Sequence, residues 1–276
     1  MLTDLQSQYS GFLNTPSLLE YIPNTFDPFL VQQDVLPSEE ALKKHIHIHP
    51  NEVLGKRVEH FFEYYIKTHS AFELLRSGIQ VFKEKQTIGE LDFLVKNIAT
   101  QSFLHIELVY KFYIYDPTIA ASNETGWIGP NRKDSYDLKS NKLLKKQLPL
   151  LYNEETEKIL ASLNLSSQNF EQRVCFLTQL YLPLHMKASA IFEERKPPIA
   201  GFWTSFHDFK NQFDQDAVYY LPLKKEWIIN PAHGTTWISF VEILSQIEQA
   251  CEQKKSPMVW IKTKEDQYQK IFITWW

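Results

Sequence analysis

Between Gly89 and Tyr115 the chain reads GELDFLV, a polar break, and then FLHIELVYKFYIY; this alternation constrains the fold more than any other feature. Side chains along an extended strand alternate between two faces. In the first run Glu90 and Asp92 therefore share one face, and Leu91, Phe93 and Val95 share the other. In the second, Leu104, Ile106, Leu108, Tyr110, Phe112 and Ile114 form an apolar face, with His105, Glu107, Val109 and Lys111 opposite. Two such strands side by side bring Asp92, Glu107 and Lys111 into one cluster. Carboxylates gathered with a lysine on a sheet suit metal-assisted phosphodiester hydrolysis, which needs hard oxygen ligands and a nearby cation. The same pattern also fits a half-solvated sheet whose charges face water. Spacing alone leaves both open.

The flanking sequence supplies a frame. Residues 1–50 carry short helical suggestions broken by prolines, and read as a lead-in packed on the core. From Asn51 to Thr68, Leu54, Val58, Phe61, Phe62, Tyr65 and Ile66 recur at helical spacing, with Glu59 and Glu63 one turn apart. Strands are predicted over Ile79–Lys85, Ile88–Val95 and Phe103–Tyr115, joined by links short enough for a meander. A helix follows over Lys133–Leu151, with Leu138, Leu144, Leu148 and Leu151 inward and Lys139, Lys142 and Lys146 on another side. The run from Val174 to Leu182 is apolar throughout, as a central strand is, and its order asks for a right-handed crossover and parallel pairing. Further strand signals lie at 199–206 and 217–223, a helix at 237–253, and a hairpin at 258–262 against 270–276. The expected class is mixed α/β: an α-β-β-β-α-β core within residues 1–183, and an α+β region over 184–276 packed on it.

Composition narrows the options. With 43% hydrophobic and 14% aromatic residues, the chain can bury a large core. A net charge of -4 excludes coating nucleic acid by bulk positive charge, so any such contact needs a local basic patch. Two cysteines without a CxxC, no secretory leader in MLTDLQSQYSGF and no long apolar run lead us to expect a cytoplasmic protein without a membrane partner. Seven tryptophans, six of them after residue 200, read as core rather than as a base-stacking surface. His45, His47 and His49 alternate before Pro50, but no carboxylate or cysteine stands in register with them, so they read as surface lead-in.

The α-β-β-β-α-β order with GELD on its second strand resembles the PD-(D/E)XK, or restriction-endonuclease-like, superfamily. There a strand ending in Asp is followed by one carrying Glu-x-Lys. More closely, the chain resembles a bacterial family, domain of unknown function 1853. The likeness rests on LGKRVEHFFEYYI (54–66), GELDFLV (89–95), HIELVYKFYI (105–114) and WIGPNRKDSYDLKSNKLLKKQL (127–148), and covers about residues 10–182. It implies a restriction-endonuclease-like core and a nuclease dependent on magnesium or manganese, acting on DNA or RNA. Asp92 and Glu107 would hold the metal, with Glu59 matching an additional acidic ligand and Glu90 ranked below Asp92. Lys139, Lys142 and Lys146 would contact phosphates, and Gln147 matches a glutamine placed near the site. The alternative for the lysines is an ordinary solvated helix face. One departure stands out: Val109 occupies the usual lysine position. Lys111 lies two residues further on, displaced about 6–7 Å along the strand; its long stem spans that distance, so it would orient the nucleophile or stabilise charge building on the phosphate. That departure leaves a second reading, a non-catalytic descendant of the fold that binds nucleic acid or a protein partner.

Overall fold

In the computed structural model, which describes residues 4–22, 24–32, 35–121, 125–186, 196–213 and 216–276, the alternating segments become neighbours in one large mixed sheet. The elements in chain order begin with α1 (Asp4–Leu13), α2 (Glu39–His45) and α3 (Leu54–Thr68). The strands β1 (Phe72–Lys83), β2 (Gln86–Asn97), β3 (Phe103–Tyr115) and short β4 (Trp127–Ile128) follow. Next come α4 (Tyr136–Lys142), α5 (Glu154–Ser162), β5 (Phe170–Pro183), β6 (Ile199–Ser205) and α6 (Phe206–Gln212). The chain finishes with β7 (Val218–Tyr220), α7 (Phe240–Glu252), β8 (Met258–Lys262) and β9 (Tyr268–Thr274).

The strand order is β1-β2-β3-β5-β6-β9-β8-β7, with β4 on the end of β3. Its centre is parallel, because β3, β5, β6 and β9 all run the same way, and its wings are antiparallel hairpins. The expected parallel pairing of β3 with β5 runs from Phe103↔Phe170 to Ile114↔Tyr181. The mixed α/β class stands, and the sheet passes without a break from residues 1–183 into 184–276. Among the described residues no helix is long and apolar enough to cross a membrane.

On one face the stripe expected of α3 is buried: Leu54, Val58, Phe61, Phe62, Tyr65 and Ile66 lie in one cluster with Phe93, Val95 and Ile106. Arg57, also inside, donates to Gln8 Oε1 and to the carbonyls of His49, Pro50 and Glu52, which ties the lead-in to the helix. The Phe62 ring meets Phe93 edge-on at 4.8 Å between centroids. Phe62→Ala should therefore cost about 3–5 kcal/mol through the cavity it leaves. A urea midpoint within error of wild type would contradict this packing.

The other face is covered by α4 and the segment from Leu143 to Tyr152, and here two expectations need correction. The helix predicted over Lys133–Leu151 starts at Tyr136, where Ser135 Oγ caps the Leu138 N–H at 3.1 Å. After Lys142 it widens into a π turn (Leu143–Gln147) and tightens into a 3₁₀ segment (Leu148–Tyr152) containing Pro149, which has no N–H to offer. Tyr136, Leu143, Leu150 and Leu151 face inward, whereas Leu138 and Leu144 are exposed. Residues 136, 139, 143 and 147 thus share the inward stripe. The second correction is to β1, which begins at Phe72 rather than Ile79.

Candidate active site

The two alternating strands pair from Lys96↔Phe103 to Phe93↔Ile106 and then part. Asp92 and Glu107 are the next residues in register, at the mouth of the gap. Asp92 Oδ2 accepts the Leu108 N–H at 2.9 Å, so its carboxylate stands in for the lost strand partner. The expected alternation fails here: Leu91 packs with Leu94 and Leu150, not with Phe93 and Val95. A strand released from its neighbour twists freely, and β2 turns over at Asp92.

Glu107 is wholly buried. His105 Nε2 lies 3.0 Å from its Oε1, and Gln147 Nε2 donates to its Oε2. Gln147 Oε1 in turn accepts from Lys139 Nζ at 2.8 Å. Behind the histidine, Gln172 Nε2 donates to His105 Nδ1 at 3.1 Å and to the Leu148 carbonyl at 2.7 Å. Because Gln172 supplies a hydrogen to Nδ1, the neutral ring carries its own proton on Nε2, toward Glu107. The chain Leu148 C=O, Gln172, His105, Glu107, Gln147, Lys139 therefore has one consistent donor direction at each link.

Burial, and then the charge of Glu107, push the Asp92 carboxyl up to about 8, against the opposing Leu108 N–H. Two buried carboxylates this close cannot both ionise without a cation beside them. Both carboxylates act on Lys139, whose pKa is lowered by burial and then by the neighbouring Lys142, with Asp92 and Glu107 opposing that shift. A divalent ion fits the donor set. Asp92 Oδ1 has no protein donor among the described residues, and Glu107 keeps spare lone pairs. Magnesium commonly takes one or two carboxylates and completes its shell with water and substrate phosphate. Among the described residues no group of three His, Cys, Asp or Glu is gathered for an ion.

Of the residues singled out in the sequence, Asp92, Glu107, Lys139 and Gln147 come together. Lys111 shares the face, but its ammonium pairs with Asp134. Val109 is packed in the apolar cluster of Tyr113, Tyr136, Leu143 and Phe176. Glu59, half-exposed on α3, pairs with Lys56, and its charge adds to the upward push on Asp92. Glu90 is half-buried beside Lys56 and Gly78. Lys142 and Lys146 are exposed on the segment that carries Lys139. Arg132, which precedes that segment, pairs with Asp116 and lies 3.5 Å over the Trp276 ring. The sequence reading missed His105 and Gln172 as parts of the site. His105 lay in view, two residues before Glu107 on the same face; Gln172 enters only through its register with His105.

A family profile described as "Domain of unknown function (DUF1853)" matches residues 5–272. No curated protein and no solved structure matches the chain.

Proposed function

Because the chain belongs to this family of unknown function, the site must speak for itself, and we propose that it is a divalent-metal-dependent nuclease of the PD-(D/E)XK kind. The observation that carries the reading is the buried Asp92–Glu107 pair in the β2–β3 gap, with Lys139 as its nearby cation. Asp92 and Glu107 would hold magnesium or manganese, which supplies Lewis acidity toward a phosphodiester and makes water a stronger nucleophile near neutral pH. His105 and Gln147 grip one oxygen each of Glu107, and so fix the direction its remaining lone pairs point. Lys139, held by Gln147, is placed to stabilise charge developing on the phosphate, the role the superfamily pattern assigns to the residue at Val109. Lys142 and Lys146, exposed beside it, suit contacts to the nucleic-acid backbone.

The test is cleavage of plasmid and of single-stranded DNA and RNA oligonucleotides with magnesium or manganese, against a chelator control. Metal-dependent cleavage is expected, and oligonucleotide binding should weaken steeply with salt, since phosphate contacts release counterions. One observation favours a second reading, a non-catalytic module binding nucleic acid or protein: both Glu107 oxygens already have protein donors. Salt-sensitive binding with no cleavage in any metal would select that reading. Neither binding nor cleavage would sink both nucleic-acid readings.

A further inference from the structure

On the sheet face opposite Asp92 and Glu107, a cavity of about 560 Å³ lies between α1, β5, β6, β9 and the segment 228–233. Small-molecule sites span roughly 300–1,000 Å³. Lys270 lines it and is only 7% exposed. Its Nζ donates to the Trp227 carbonyl at 2.7 Å and to Gln179 Oε1 at 3.2 Å. Both partners are neutral, and an ammonium has a third N–H to place. No carboxylate among the described residues pairs with Lys270; burial alone pushes its pKa down to about 7.

Among the described residues, the polar groups hydrogen-bonded around Lys270 are neutral. Gln179 Oε1 already accepts from Tyr181 Oη at 2.9 Å, and Gln179 Nε2 donates to Tyr110 Oη at 3.1 Å. Tyr110 Oη donates to Thr15 Oγ1 at 2.8 Å, because the Thr15 hydrogen goes to the Gly11 carbonyl at 2.7 Å. The network is closed and neutral, and it braces Gln179 and hence Lys270 from behind. Around the rest of the cavity, Ser7, Ser10, Asn230 and His233 offer further polar groups. A buried ammonium with no counter-charge among the described residues is costly, and a cavity at its side gives room for a mobile one.

We propose that this cavity binds a small molecule bearing an oxyanion, a carboxylate or a phosphate, whose oxygen takes the third N–H of Lys270. Calorimetry and thermal unfolding with succinate and with inorganic phosphate test it and distinguish the two sources. Saturable binding with a raised Tm is expected for at least one. Lys270→Met, which keeps the length and apolar stem, should weaken it about 10- to 100-fold, the worth of a hydrogen bond to a charged group. Ser10→Phe, which adds a ring to the cavity wall and leaves Lys270 in place, should weaken it. Absence of saturable binding of either anion at millimolar concentration would overturn the proposal. So would binding that both variants retain. The readout is binding alone, so it stands or falls independently of cleavage.

Discussion

Asp92→Asn should lower metal-dependent cleavage by about 10²- to 10³-fold or more, while the fold survives and gains stability at alkaline pH. The amide keeps the shape of the carboxylate and, rotated, its acceptor for the Leu108 N–H, but removes the charge that holds a cation. The stability effect follows from where the proton sits. In the unfolded chain Asp92 releases its proton near its ordinary value of 3.8, whereas burial in the folded chain delays release to about 8. Between those limits the folded state holds a proton that the unfolded state has lost. The wild type therefore loses stability as pH rises through that window, by at most about 1.4 kcal/mol per unit. Asn has no such proton. The variant's advantage in urea midpoint should grow from pH 5 to about pH 8 and then level off, and divalent metal should restore the wild type without affecting the variant. Parallel stability profiles, or an unchanged cleavage rate, would remove the carboxylate pair from the mechanism.

The second large effect separates two lysines. Lys139→Met should slow single-turnover cleavage by about 10²-fold or more with little change in metal affinity, because lysine is not a ligand. Lys111→Ala should change it only a few-fold. Its ammonium pairs with Asp134 and both groups are about one-third exposed, so the pair contributes ~1 kcal/mol or less. If Lys111→Ala proves the more damaging, the lysine two residues beyond Val109 is the working one after all, and the contact of Lys139 with Gln147 is structural. Val109→Lys cannot simply install a Glu-x-Lys spacing. It would bury an ammonium among Tyr113, Tyr136, Leu143 and Phe176, and destabilisation is the expected outcome.

Local periodicity was enough to place Asp92 and Glu107 on adjoining strands, to bury the Leu54–Ile66 stripe of α3, and to run β5 parallel to β3. Each of these depends on a repeat of 2 or 3.6 residues that the chain carries within itself. Tertiary structure decided what those repeats could not. The Ser135 cap set the phase of α4, which leaves Leu138 exposed and Lys139 inward, and the π turn after Lys142 leaves Leu144 exposed and brings Gln147 to Glu107 and Lys139. The parting of β2 from β3 turned Leu91 to the other face and left Asp92 at the gap. Lys270 met its cavity because β9 lies beside β6, and Gln179 reaches it from β5, more than ninety residues away in the chain. A helix phase depends on where the helix is capped and broken, and a pairing across the sheet depends on chain closure over long distances. Neither is written in a local repeat.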